Sequence, residues 1–297
     1  MLFILIRFIE RMKIGVNTYA FRKELSKNEL TLTQIFTILA KFKDVFGIEL
    51  LDRHILESYG SDLSSRIGKI KQEAESYGLS IYALGPHLHC WNNSMSQVEK
   101  EVKDFKTWID AAHANGIPAL RMQGGRPALF WDNFLLKKAL DVYGRILNQV
   151  IPYAEANSVK LGLETHWAHT SNPEFLKLFA EKYGKSPSIA IIFDWGNFKS
   201  DKTRFKALEV ASQPNMHVHN HVKMFNFDPK TGLCTDWDAY AIVDAFRKNN
   251  FKGTFSIEYE GKEDGITGVF RSLEVLRYCL SEKKHQIDLT TDPHSFL

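Results

Sequence analysis

Three histidines at alternate positions in MHVHNHVKMF, residues 216–225, and a set of acids that each close a short apolar run are this chain's strongest candidates for chemistry. In an extended strand successive side chains point to opposite faces, so His217, His219 and His221 share one face while Met216, Val218 and Val222 lie on the other. The acids fall at equivalent places: Glu164 ends KLGLE, Asp194 ends IAIIFD, and Glu258 stands near the end of FSIEY. Alternation sends Leu161, Leu163, Ile189, Ile191, Phe193, Phe255 and Ile257 to one face and the acids to the other. Below the acids, Gly162, Ala190 or Ile192, and Ser256 are small or compact, as a crowded interior requires. Carboxylates brought together repel, by roughly 4 kcal/mol for a pair about 4 Å apart at an effective dielectric near 20. Burial adds a penalty of several kcal/mol per ion, and a divalent cation relieves both costs.

For these side chains to meet, the runs that carry them must lie side by side. Strand candidates are 13–18, 46–51, 79–84, 118–123, 159–164, 188–194, 215–222 and 253–259, eight in all. Helix-like stretches lie between them. Residues 96–115 space Val98, Val102, Phe105, Trp108, Ile109 and Ala112 three or four apart, the apolar stripe of a helix. Asn172-Pro173 opens another, with Asn as cap and Pro at the first helical position. Eight strands alternating with helices imply a single-domain α/β fold, the (β/α)8 TIM barrel, whose active-site groups sit at the carboxyl ends of the strands. A doubly wound open sheet is the alternative, but no Gly-x-Gly-x-x-Gly turn follows the first strand. The expected layout is an N-terminal extension over 1–11, the barrel over 12–281 and a polar tail over 282–297. MKIGVNTYAF reads as a complete first strand, which makes Met12 a second candidate start.

A chain of 297 residues is compatible with one α/β barrel, and 44% hydrophobic with 25% charged residues describes an ordinary globular protein. The near balance of +3 provides no electrostatic case for nucleic acid or an acidic membrane as partner. Cys90, Cys234 and Cys279 are odd in number and far apart, which fits a reducing, cytoplasmic setting better than a disulfide framework. The opening MLFILIRFIER lacks a basic start and a small-residue cleavage site and is too short to span a bilayer.

The motifs ETHW at 164–167, DWGN at 194–197, HNHVK at 219–223 and IEYEG at 257–261 resemble, in that order and at strand ends, the xylose isomerase-like TIM-barrel superfamily. Within it the likeness is to the sugar phosphate isomerase/epimerase group, over about Lys13 to Leu280. The resemblance implies that Glu164, Asp194, His221 and Glu258 bind one divalent metal, with His219 in support as the upstream member of a His-x-His pair. Three carboxylates and one imidazole form a mostly hard ligand set, which favours Mn2+, with Mg2+, Co2+ or Zn2+ as alternatives, over a closed thiolate zinc site. The implied activity is isomerisation or epimerisation of a sugar or sugar phosphate through an enediolate, with Glu164 and Glu258 moving the proton. Glu49, His89, Arg121, Gln123, His166, Trp167, Asn197, His219 and Lys223 are the expected substrate contacts around the mouth. His217 is expected deeper in the barrel as a polar group. Trp91, Trp131, Trp167 and Trp195 follow strands and are expected in loops at the rim, where their faces would pack sugar C–H groups. Barrels of this kind often pair, so a homodimer is expected although no interface is legible.

Three rival readings share the barrel. An inosose dehydratase-like lyase would use the same metal and acids. An apurinic endonuclease-like phosphodiesterase needs a three-zinc cluster, but Asn197 stands where that group has a histidine and Asp236-Trp237-Asp238 replaces its aspartate-x-histidine. A non-catalytic sugar-binding barrel would have no use for intact Glu164 and Glu258.

Overall fold

The computed structural model describes residues 12–56, 62–91, 94–124, 133–166 and 168–297. Its parallel strands are β1 Lys13–Asn17, β2 Val45–Leu51, β3 Ser80–Gly85, β4 Ala119–Met122, β5 Lys160–Glu164, β6 Ile189–Asp194, β7 His219–Met224 and β8 Thr254–Tyr259. They pair in sequence order and close on themselves, with Ile14 of β1 against Phe255 of β8 and Val16 against Ile257. Closure leaves no unpaired strand edge. The expected TIM barrel is therefore present, and every strand but one lies within a residue of its expected bounds.

The exception is β7, which begins at His219 and runs to Met224 rather than spanning 215–222. Pro214–Met216 forms a 3-10 turn instead, because a proline cannot donate to a sheet ladder. His217 consequently lies outside the strand, its Nε2 2.6 Å from the Ser212 carbonyl and its ring edge-on to Phe251, which corrects its expected place inside the barrel. Val218 is a second correction. It joins Tyr82, Ala83, Ala119 and Phe46 in a small cluster apart from the main core, whereas Met216 and Val222 belong to that core.

Outward-facing residues of the strands, Leu161, Leu163, Ile189, Ile191, Phe193, Phe255 and Ile257, are buried under the helices. The helix Met95–Ala114 contributes Val98, Val102, Phe105, Trp108, Ile109 and Ala112, the stripe expected from its spacing. Emptying one such position, as in Phe105→Ala, costs about 3–5 kcal/mol. Asn172 caps the helix Pro173–Tyr183 by accepting from the Glu174 N–H at 3.0 Å. Inside the barrel, Tyr82 crosses the space above Gly15, where an added Cβ would lie 2.3 Å from the ring. The polar tail folds back on the body. Phe296 packs against Phe42 and Phe270, and the Asp288 N–H donates to Glu274 in the helix Gly265–Leu280. The extension 1–11 lies outside the described residues, as do Trp131 and Trp167. Among the described residues no helix is long and apolar enough to cross a membrane.

Candidate metal centre

Strand register brings the acids to one place. Asp194 on β6 pairs beside His221 on β7, and Lys223 pairs beside Glu258 on β8. Side chains of Glu164, Asp194, His221 and Glu258 each offer a ligand atom within 4.8 Å of the other three. Two oxygens on opposite sides of a cation with bonds of ~2.0–2.5 Å stand roughly 4–5 Å apart, so the spread suits one ion. His221 Nδ1 lies 3.1 Å from Glu164 Oε1, 3.1 Å from Glu258 Oε2 and 3.9 Å from Asp194 Oδ2.

The other side of the same ring is held by Glu49, whose Oε2 is 3.0 Å from His221 Nε2. Burial raises the Glu49 pKa, but His221 and His219 overcome it and hold the carboxyl well below its usual range. An ionised Glu49 can only accept, so Nε2 carries the hydrogen and Nδ1 is turned toward the three acids. This is how a metal-binding histidine is oriented by a carboxylate behind it. Burial lowers the His221 pKa, yet Glu49 and Glu258 drive it well above the ordinary imidazole value. Positive charge belongs between Nδ1 and the acids: a proton meets that need in the bare protein, and a divalent cation fits the same place.

Charge balance points the same way. Glu49, Glu164, Asp194 and Glu258 are 0–3% exposed, against two buried fixed cations, Arg121 and Lys223. Asp194 carries the strain. Burial raises its pKa, Lys223 opposes this at 2.8 Å, and Glu258 and Glu164 push it up again. Glu164 is held low, since Arg121 and then His221 outweigh burial. Glu258 is lowered in the same way by Lys223 and His221 against burial, and the Asn17 side-chain amide donates to its Oε2 at 3.0 Å. Burial lowers the Lys223 pKa, but Asp194, Glu258 and Glu260 reverse this and keep its ammonium charged. Four buried carboxylates against two fixed cations leave two negative charges in surplus around the ligand atoms, which fits a divalent ion.

The remaining expected contacts divide into three groups. Arg121 and His166 stand beside Glu164, with Arg121 Nη1 3.5 Å from its Oε2, and burial, then His87, Arg121 and His166 lower the His89 pKa. Gln123 joins them through a short bridge to His89, and Asn197 donates to the Thr165 carbonyl at 3.0 Å while its buried Oδ1 has no partner. Glu49 and His219 are not at the mouth; they stand behind His221, with Glu49 also accepting from Ser256 at 3.0 Å. Lys223 is likewise drawn inward, 4% exposed and engaged by Asp194, Glu258 and Glu260.

Trp195 departs from expectation. Its indole is fully buried, donates to Asn220 Oδ1 at 2.8 Å and packs edge-on to Phe255, so it belongs to the core and not to a sugar-facing rim. Trp91 packs against Tyr143 and His169. Asn17 and Glu260 were not singled out from sequence, although signals existed: Asn17 closes the first strand, and Glu260 follows Glu258 by two.

A family model described as the xylose isomerase-like TIM barrel matches residues 44–279. A curated relative, the alpha subunit of 3'-dehydrocarminate deglycosidase from Microbacterium sp, is 20% identical over 194 residues, covering 62% of this chain and 49% of that protein. The chain thus spans about half the length of the relative it matches. Among solved structures, 3-keto-D-glucoside 4-epimerase YcjR from E. coli superposes with a TM-score of 0.67 at 17% identity, over 91% of this chain and 100% of that one. The IOLI protein with a bound zinc atom gives a TM-score of 0.66 at 14% identity, over 92% and 99%. At such identities the likeness is one of fold.

Proposed function

The chain belongs to the xylose isomerase-like TIM barrel family, and from that premise we propose that it is a divalent-metal-dependent isomerase or epimerase acting on a sugar or sugar phosphate. The observation that carries this reading is His221 Nδ1 facing Glu164, Asp194 and Glu258 at the carboxyl end of the barrel. These four residues would hold the metal, with Mn2+ favoured by the hard oxygen-rich set and Mg2+, Co2+ or Zn2+ as alternatives. When bound, such an ion polarises a carbonyl and the oxygen next to it.

The residues of the chain then divide the work. Glu164, kept ionised by Arg121, takes a proton from the carbon beside the carbonyl, and the C–H electron pair moves to the carbonyl oxygen as an enediolate. Glu258, which like Glu164 has an oxygen 3.1 Å from His221 Nδ1, takes a proton from solvent and returns it to carbon, while Glu164 releases its own to solvent. Return to the opposite face gives the epimer, and return to the neighbouring carbon gives the isomer. Arg121 and His166 beside Glu164, with the free Oδ1 of Asn197, would hold hydroxyl or phosphate oxygens. An elimination reading shares the first step and is favoured by the deglycosidase relative; a leaving group on the next carbon would then depart instead of a proton returning.

The test is proton exchange in D2O over ketoses, keto-inositols, 3-keto-glucosides and their phosphates. The native chain should label one substrate carbon, and Glu164→Gln or Glu258→Gln should each slow that labelling by about 10²–10⁴-fold. Unchanged labelling in both variants would refute the roles. Product analysis separates epimer, isomer and elimination product.

A further inference from the structure

The amino-terminal mouth of the barrel, opposite the acid cluster, holds an open cavity of about 560 Å³. Barrel interiors of this fold are ordinarily filled by side chains, and this volume lies within the range of small-molecule pockets. Its wall is built from strand starts that closure alone brings together: Lys13 of β1, Phe46 of β2, Tyr82 of β3, Lys160 of β5 and His219 of β7, with Lys252 just before β8. A second cavity of about 370 Å³ adjoins it and shares Lys160, His217 and Lys252.

Charge in this mouth is one-sided. The acid on its wall, Glu75, is already paired with Lys71 at 2.6 Å. Among the described residues Lys13 and Lys160 have no carboxylate partner: Lys13 Nζ stands 5.2 Å from the centre of the Phe46 ring, and Lys160 Nζ donates to the His217 carbonyl at 3.2 Å. Partial burial lowers the Lys160 pKa, an electrostatic cost that an anion beside it would offset. The apolar part is equally defined, since Phe46 and Tyr82 stack with centroids 5.2 Å apart. At the inner end, His219 is 2% exposed and its Nδ1 has no hydrogen-bond partner, a buried polar atom that calls for one.

We propose that this mouth is a second binding site, separate from the metal centre, for a small organic anion: a phosphate or carboxylate held by Lys13 and Lys160, with a flat or apolar body against Phe46 and Tyr82. The ligand would reach toward His219, and His219 and Tyr82 lead to the metal centre. Tyr82 donates to Ser256 at 2.6 Å, Ser256 donates to Glu49 at 3.0 Å, and Glu49 holds His221.

Phenyl phosphate is a suitable probe, with inorganic phosphate supplying the charge alone and benzyl alcohol the body alone. Titration of the full chain should give one saturable site for phenyl phosphate and at least tenfold weaker binding of either partial probe. Lys160→Gln and, separately, Lys13→Gln should each weaken it about tenfold, the scale of one charge-assisted hydrogen bond. Lys13 is exposed at a strand start, so its variant keeps the test open should Lys160→Gln fold poorly. Saturation transfer to the Phe46 and Tyr82 ring protons should accompany binding. Absence of saturable binding, equal binding of benzyl alcohol, or affinity untouched by both substitutions would each overturn the proposal.

Discussion

At the carboxyl-terminal mouth four buried carboxylates outnumber two buried cations, whereas at the amino-terminal mouth lysines surround a cavity whose wall acid is already paired. The same strands build both ends. The upper end is crowded because its polar residues are in register, so each charge lies within reach of an opposite one. The lower end is open below the layer in which Tyr82 fills the room left by Gly15 and reaches across to Ser256, and the lysines start from separate strands. Charge in the upper mouth is therefore coupled and costly to disturb, while in the lower mouth Lys13 and Lys160 have no carboxylate partner among the described residues.

That contrast can be broken at single residues. The largest stability effect should come from Lys223→Met, which leaves Asp194, Glu258 and Glu260 without their shared cation. Removing one partner of a buried ionic group costs about 3–5 kcal/mol, and a bound divalent ion should recover part of it. Urea unfolding with and without metal reads this directly, and an equal loss in both conditions would disconnect Lys223 from the metal centre.

Next in size, residue for residue, is a dependence on pH carried by the loops above the upper mouth. Burial lowers the pKa of His54, in the helix Asp52–Leu56 after β2, and of His169, in the turn Ala168–Ser171 after β5, each to about 4. Their unfolded pKa lies near 6.5, so below that value the unfolded chain takes up protons that the native one refuses. The stabilisation is complete above about pH 6.5 and is lost as pH falls toward 4, on the order of 3 kcal/mol per residue. Urea midpoints at pH 7 and pH 4.5 should differ accordingly, and the difference should shrink in His169→Phe. An unchanged difference would assign the acid sensitivity elsewhere.

The smallest effect belongs to the lower layer. Gly15→Ala would press a methyl group into the Tyr82 ring and cost about 1–3 kcal/mol as overpacking, while leaving metal affinity within about twofold. A loss of metal binding instead would mean that the two ends are more tightly joined than their charges suggest.

Much of the upper mouth was legible because the barrel's rules convert a position in a strand into a position in space. Glu164, Asp194, His221 and Glu258 could be matched by strand end and alternation alone. What those rules omit is direction after the strand ends. Trp195 follows Asp194 directly, yet it turns back under the helices to bond Asn220, and only the packed core determines that. Glu49 and Lys223 had the right strands but the wrong neighbours, because buried charge pulls long side chains inward toward partners on other strands. His217 was misplaced by one proline-led turn. The lower cavity was not legible at all: Lys13, Lys160 and Lys252 are remote in sequence and share no motif, so closure of the barrel is what makes them neighbours.

The most direct measurement is competitive titration of the chelator-stripped full chain with Mn2+ against a chromophoric chelator, repeated on His221→Ala and Asp194→Asn proteins whose melting confirms that they fold. One equivalent of metal per chain, falling at least tenfold in affinity in either variant, is the predicted result. A native chain that takes up no divalent ion, or one whose uptake is indifferent to both substitutions, would contradict it.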